Sequence, residues 1–173
     1  MFIDIIRDRY LRKKRTIEYW KRRGLTIGKD CSINPKVELG SEPYLITIGS
    51  HVRINSGVTF VTHDGGCWVL RNETSIPNSN QLDLFGKIKI GNNVHIGTNA
   101  FIMPGVTIGD NVIIGCCAVV TKDIPDNSIA VGVPARVIES VSEYYNKHRE
   151  NFDYTKHMSA EEKKDYLTKK YNG

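Results

Sequence analysis

The sequence predicts an all-β fold, a parallel β-helix flanked by helices, and three observations carry that expectation. Aliphatic residues recur at every sixth position, from Ile90 through Ile96, Ile102, Ile108 and Ile114 to Val120. A companion register sits two residues earlier, in the pairs Val94/Ile96, Ala100/Ile102, Val106/Ile108, Val112/Ile114 and Ala118/Val120. A spacing of two places both side chains on one face of a strand. Glycines follow inward aliphatics at Gly91, Gly97, Gly109 and Gly115, while Asn92, Asn93, Asn99, Asp110 and Asn111 tolerate the dihedrals of tight corners. An α-helix fails this pattern, because six residues at about 100° each turn the side chain through roughly 240° and scatter the apolar positions. A hexapeptide period is instead the signature of short strands wound into stacked coils. Six coils or so, about 4.8 Å apart, would make a prism roughly 30 Å long.

Each element follows from local signals. Phe2 to Arg23 reads as an amphipathic helix, with Ile3, Ile6, Tyr10, Ile17 and Trp20 at helical spacing and Gly24 as its end. It is expected to cover the open end of the prism, where unpaired strand edges invite association. The repeat begins at Ile27, with Ile33 and Leu39 in step and Cys31 and Val37 in the companion register. Its phase then slips by three residues around Ser41, Glu42 and Pro43 before Ile48, Ile54 and Phe60 restore it. A polar break from Gly65 to Gly86 lacks the period, and insertions of that length are usually functional. After Val120 the chain to Val137 reads as extended and packed along the coil. Two capping boxes, Ser140 with Glu143 and Ser159 with Glu162, announce two C-terminal helices. The expected organisation is a helix over 1–24, a β-helix over 25–138 with a loop at 65–87, and a helical extension over 139–173.

Composition narrows the function classes. At 173 residues, 40% hydrophobic and 25% charged, the chain suits one globular domain. No apolar run approaches the roughly 18 residues that span a bilayer, and the N-terminus lacks a secretory h-region, so a cytoplasmic location is expected. Nine basic residues crowd between Arg7 and Arg23 and supply much of the net charge of +5. No nucleic-acid module or interleaved aromatic platform accompanies them, so no nucleic-acid partner is expected. A solvated basic face is the main reading, and weak contact with an anionic membrane surface is the alternative. Cys31, Cys67, Cys116 and Cys117 show no C-x-x-C spacing and read as small residues in tight packing sites.

A regular prism explains stability and leaves chemistry to its departures. The strongest departure is Thr62-His63-Asp64-Gly65-Gly66, where the coil stops and the long loop leaves. An imidazole held there by a rigid scaffold is suited to act as a general base near neutral pH, and an ordinary corner histidine is the competing reading.

The run from Ile90-Gly91-Asn92-Asn93-Val94-His95-Ile96-Gly97 through Pro104-Gly105-Val106-Thr107-Ile108-Gly109-Asp110-Asn111, then Val120-Thr121-Lys122-Asp123-Ile124-Pro125 and Gly132-Val133-Pro134-Ala135-Arg136, resembles the hexapeptide-repeat acyltransferases. The resemblance covers roughly Ile27 to Ile138 and points to the branch containing galactoside, maltose and bacterial capsular or O-antigen polysaccharide O-acetyltransferases. It implies a left-handed parallel β-helix, an exception to the right-handed crossover rule, in a homotrimer with acetyl-CoA bound between adjacent subunits and no metal. It makes His63 the catalytic base. Arg71 would orient the acceptor or the loop, with a structural salt bridge as the rival role. Asp64 would orient the base, bind acceptor hydroxyls or cap the turn. Thr98 and Cys116 match positions lining a pantetheine groove, and Thr121, Lys122 and Arg136 match positions near the nucleotide, where phosphates call for cations. His95 stands where relatives carry tryptophan in Val-Trp-Ile-Gly, and would supply a polar contact to the acceptor or a partial wall.

The function so implied is transfer of an acetyl group to a sugar hydroxyl in surface polysaccharide biosynthesis, the acceptor being a sugar unit or a polysaccharide precursor. Acetylation of an amino-sugar nitrogen or of a xenobiotic is the enzymatic alternative. A non-catalytic trimeric scaffold is the alternative from another class. A zinc site built from His51, His63 and His95 lacks the close histidine pair of the gamma carbonic anhydrases, which the fold also resembles.

Overall fold

The computed structural model describes residues 10–172, and within them the chain forms two compact units that meet between Ser142 and Glu143. The first unit is a three-sided parallel β-helix. Face A stacks β1 (Thr26–Ile27), β3 (Ile46–Ile48), β6 (Ile88–Ile90) and β9 (Thr107–Ile108). Face B stacks β2 (Ser32–Ile33), β4 (Arg53–Ile54), β7 (Val94–Ile96), β10 (Val112–Ile114) and β12 (Ser128–Val131). Face C stacks β5 (Thr59–Phe60), β8 (Phe101–Ile102) and β11 (Val119–Val120). Every pairing among these strands is parallel.

The register explains the sequence period. Ile90 lies opposite Ile108 and Ile96 opposite Ile114, eighteen residues apart, so one coil takes three hexapeptides, one for each face. The structure therefore has four complete coils and a partial fifth, closed by the Ile108–Ile124 bridge and the Ile114–Ala130 pair. That corrects the expected six coils, because the period counts faces and the height counts coils. Stacked at about 4.8 Å, the described coils rise roughly 20 Å. Both aliphatic registers point inward as expected: Ile96, Ile102, Ile114, Ala100, Ala118 and Val120 are each fully buried.

Corners are closed by side chains as well as backbone. Between faces A and B, Asp30, Asn93, Asn111 and Asn127 adopt left-handed dihedrals. The Asn93 amide donates to Asn111 Oδ1 at 2.8 Å, and the Asn111 amide to Asn127 Oδ1 at 3.0 Å. Beside this ladder, the side-chain oxygens of Asn92, Asp110 and Asp126 accept backbone N–H groups of Ser50, Asn92 and Asp110 from the preceding coil. These bonds satisfy amides that the turning strand cannot pair.

Several expectations need correction. The fold is not purely β, since helices α1 (Thr16–Arg22), α2 (Cys67–Leu70), α3 (Val141–His148) and α4 (Ala160–Asn172) accompany the prism. The N-terminal helix is not continuous: residues 10–14 are helical, Arg15 leaves helical geometry, and α1 begins after it. Residues 2–9 of the expected helix lie outside the described residues. Leu11 and Trp20 are both buried, yet nine residues on an ideal helix would point them about 180° apart. The helix breaks at Arg15 between them, and Trp20 joins the core of the first coils. After β12 the chain reverses, and β13 (Arg136–Ser140) pairs antiparallel with it, which ends the parallel ladder on face B. Of the cysteines, Cys67 is buried, whereas Cys116 and Cys117 are exposed corner residues, Cys117 with φ of 58°. In the second unit, the Ser159–Glu162 capping box closes reciprocally, at 2.7 and 3.3 Å, and opens α4. Asp153 accepts bonds from Tyr166 and Lys170 there, both at 2.6 Å.

Candidate functional site

The departure at His63 is built by three segments of chain. Strand β5 delivers Val61, Thr62 and His63 to the corner where the coil would turn onto face A. The chain instead leaves at Asp64 and returns at Phe85, and the two ends are clasped. Asp64 N–H donates to Leu84 O at 2.8 Å, Gly86 N–H donates to Thr62 O at 2.9 Å, and His63 bridges Phe85 in antiparallel fashion. The phenyl ring of Phe85 stands edge-on to the imidazole, with centroids 6.2 Å apart.

The third segment is the phase slip of the first coil. It looks like a harmless corner insertion in the sequence, but it carries the Glu42 carboxylate beneath His63. Glu42 Oε2 accepts the hydroxyl of the buried Thr62 at 2.7 Å and lies 3.1 Å from His63 Nδ1. The Thr62 hydrogen bond, with smaller contributions from Ser41 and His63, holds the Glu42 carboxyl below its ordinary range, so it is ionised at neutral pH. An ionised carboxylate can only accept. The network therefore assigns the proton to Nδ1 and leaves the Nε2 lone pair free. The His63 side chain is 47% exposed and that of Glu42 14%, so the imidazole faces the cleft while the carboxylate is covered.

Asp64 and Arg71 serve the loop. Asp64 Oδ1 accepts Gly66 N–H at 2.8 Å, a turn that leads into α2. Arg71 Nε donates to Leu82 O at 2.8 Å and its guanidinium pairs with Asp83, so this arginine ties the outgoing limb to the returning one. Both residues, with Glu42, His63, Trp68 and Phe85, line a cleft of about 350 Å³.

The remaining candidates divide by corner. Thr98 and Cys116 occupy the corner between faces B and C in successive coils, with Cys117 N–H donating to Thr98 O at 2.8 Å. Thr121 and Lys122 occupy the next corner, between faces C and A, and are exposed. That corner is also the one from which His63 projects, two coils earlier, as the β5–β8–β11 register requires. Face C thus lies between Thr98 and Cys116 on one side and His63 and Lys122 on the other. Arg136 begins β13 and turns one guanidinium nitrogen onto Ala135 O at 2.8 Å.

His95 is not brought to His63 within the chain. It points outward from face B, opposite Arg53 on one side and Ile113 on the other. His51 and His95 share one pocket and His63 stands in another, so the three histidines considered for zinc do not converge. Among the described residues no group of three or more metal-ligating side chains is placed to hold an ion.

Desolvation first, and the Arg53 charge second, hold the His95 imidazole below its ordinary pKa of 6.5. Below about pH 6.5 the unfolded chain takes up a proton that the folded one refuses, so this contribution to stability is complete above that pH and is lost as pH falls toward the folded value. His95→Gln should reduce the loss of stability between pH 7.5 and 5.5, read as urea midpoints at both pH values. An unchanged acid-side slope would exclude this role.

Glu42 is the candidate residue that the periodicity misses. The signal for it was the slip itself, an acidic residue at a break in phase one coil before a candidate base.

Comparison with known proteins agrees with this architecture. Residues 87–122 match the family model described as bacterial transferase hexapeptide (six repeats). The chain is 50% identical over 154 residues to protein CapG of Staphylococcus aureus, covering 87% of this chain and 86% of CapG. It is 42% identical over 118 residues to galactoside O-acetyltransferase of Escherichia coli K12, spanning 65% of this chain and about half, 52%, of that enzyme. Among solved structures, a maltose O-acetyltransferase of Clostridium difficile 630 superposes with a TM-score of 0.58 at 29% identity, over 72% of this chain and 73% of the other. A hexapeptide-repeat acetyltransferase of Vibrio cholerae, solved with acetyl coenzyme A, superposes with a TM-score of 0.57 at 32% identity, over 68% of this chain and 60% of the other. With its eighteen-residue coils and its near full-length match to CapG, the chain belongs to the hexapeptide-repeat acyltransferase family.

Proposed function

We propose that this protein transfers the acetyl group of acetyl-CoA to a hydroxyl of a sugar, in the synthesis of a surface polysaccharide, with His63 as general base. The observation that carries the reading is the Thr62–Glu42–His63 chain of hydrogen bonds, which presents a free Nε2 at the mouth of a cleft. Nε2 accepts the proton of the acceptor hydroxyl as its oxygen attacks the thioester carbonyl. The tetrahedral intermediate collapses, the carbon–sulfur bond breaks, and the thiolate takes the proton from Nε2. The products are an acetyl ester and free coenzyme A, and the imidazole returns to its starting state. Glu42 stabilises the transient imidazolium and fixes its ring.

Face C and its two corners would hold the donor, with Thr98 and Cys116 beside the pantetheine and Thr121, Lys122 and Arg136 near the phosphates. Asp64 and Arg71 line the acceptor end, and His95 would reach an acceptor only on a neighbouring subunit. The reading includes a left-handed hand for the coils and a homotrimer with donor sites between subunits. It is supported by the family, by the acetyl coenzyme A bound to the Vibrio cholerae relative and by the sugar O-acetyltransferases among its relatives.

The test is thiol release from acetyl-CoA with a panel of sugars, amino sugars, nucleotide sugars and polysaccharide fragments. Acceptor-dependent release with ester formation is the expected result. Absence of both release and coenzyme A binding across the panel would overturn it. Glu42→Gln keeps the shape and removes the charge. It should lower kcat on the order of 10²-fold, less than the roughly 10⁴ lost when a triad aspartate is neutralised, because the half-exposed His63 keeps access to water. Steady-state kinetics at saturating donor would show whether kcat falls while KM for acetyl-CoA holds.

A further inference from the structure

The outward row of face B reads Ser32, Arg53, His95, Ile113, Ile129 and Glu139 in strand order. Arg53 and His95 are directly opposite in register, on strands about 4.8 Å apart. Two basic side chains in that relation repel whenever both are charged. Among the described residues Arg53 has no hydrogen-bond or ion-pair partner, and the one carboxylate of the row, Glu139, stands three strands beyond His95.

A second irregularity falls at the same place. The asparagine ladder of the neighbouring corner runs Asn93, Asn111, Asn127, but one coil earlier the left-handed residue, at φ 57°, is His51. The ladder stops there, and the histidine lines a pocket together with Arg53 and His95. Asn93, Asn111 and the apolar Val94, Val112, Ile113 and Val141 complete its wall, no carboxylate lines it, and its volume is about 320 Å³. A permanently charged planar fork and two imidazoles, each with an N–H to offer, make one concavity rich in donors and without a carboxylate.

We infer that the pocket bounded by His51, Arg53 and His95 binds a phosphoryl group, with Arg53 supplying the fixed charge and fork and the two histidines supplying N–H donors. A tetrahedral oxyanion would balance the Arg53 charge and can accept bonds from all three side chains. The volume also leaves room for a sugar carrying the phosphate. Only the identity of what carries the phosphate rests on the proposed function.

The experiment titrates the full chain with inorganic phosphate, pyrophosphate, glucose 1-phosphate and glucose. Binding is read by calorimetry, and the histidine ring resonances are assigned with single His→Gln variants. The expected result is binding of the three phosphoryl probes, with the His51 and His95 resonances shifting and that of His63 unmoved, and no response to glucose. Tighter binding of glucose 1-phosphate than of phosphate identifies a sugar-borne anion, and equal binding identifies the free anion as sufficient. Arg53→Ala should weaken binding at least about tenfold, which is 1.4 kcal/mol, and Arg53→Lys should restore part of it, each with an unchanged unfolding midpoint in the absence of ligand. Failure of every phosphoryl probe to bind at millimolar concentration, equal affinity in Arg53→Ala, or shifts confined to His63 would each overturn the inference. Phosphate binding without any acetyl transfer would leave the pocket standing and count against the proposed function alone.

Discussion

His63→Ala is expected to lower kcat by about 10²- to 10⁴-fold, the usual contribution of a positioned general base. The basis is geometric. Glu42 and Thr62 fix one ring nitrogen and leave the other free at the mouth of the cleft, while the clasped ends of the loop hold the backbone beneath. Because the imidazole is half-exposed and lies outside the aliphatic core, its removal should leave the unfolding midpoint nearly unchanged. Coenzyme A affinity, measured by calorimetry, should also hold, since the residues proposed to grip the donor lie on other coils. Full activity in the variant would remove the general-base reading. Loss of activity accompanied by loss of coenzyme A binding would instead mark His63 as a binding residue.

The largest expected effect on stability is that of Phe60→Ala, at about 3–5 kcal/mol. Phe60 is 1% exposed, and its neighbours in the inward column of face C are Leu39 on one side and Ile102 on the other, both fully buried. A coil stacked on both sides has little freedom to collapse into the space left behind, so the cavity term should persist. Lys89→Ala, on the outward side of face A, is the control and should change stability by no more than about 0.5 kcal/mol. Urea midpoints at one fixed protein concentration test both. A cost below about 1 kcal/mol for Phe60→Ala would mean that the coils repack across the gap.

Much of the fold was legible because its physics repeats. One face of one coil needs the same six-residue solution each time, so Ile90 to Val120 announces strands, corners and burial together. The Ser159–Glu162 box was legible for a similar reason, since a helix start has few chemical solutions. What escaped the sequence was each arrangement set by long-range placement. Arg15 interrupts a clean helical pattern between Leu11 and Trp20, two buried residues that one straight helix would point about 180° apart. The coil count is not legible in the sequence, because the period does not reveal how many faces a coil has. His63 could be picked out at the break in the repeat, but its carboxylate could not, since Glu42 precedes it by a whole coil and reaches it through a slip in phase. His95 lies within the most regular stretch of the chain, yet its like-charged neighbour Arg53 is forty-two residues earlier.

The loop at His63 also alters how far apart in sequence paired strands lie. Ile90 meets Ile108 across eighteen residues, but Ile48 meets Ile90 across forty-two. Closure entropy grows only with the logarithm of length, so that longer excursion costs the fold about 0.7 kcal/mol more. A corner that tolerates a long insertion at so small a cost is open to variation. Descendants of such a chain can lengthen, shorten or rewrite the segment around the His63 cleft while the coils above and below keep their register. The walls of that cleft are thereby the part of the molecule that can change shape at the least cost to the scaffold.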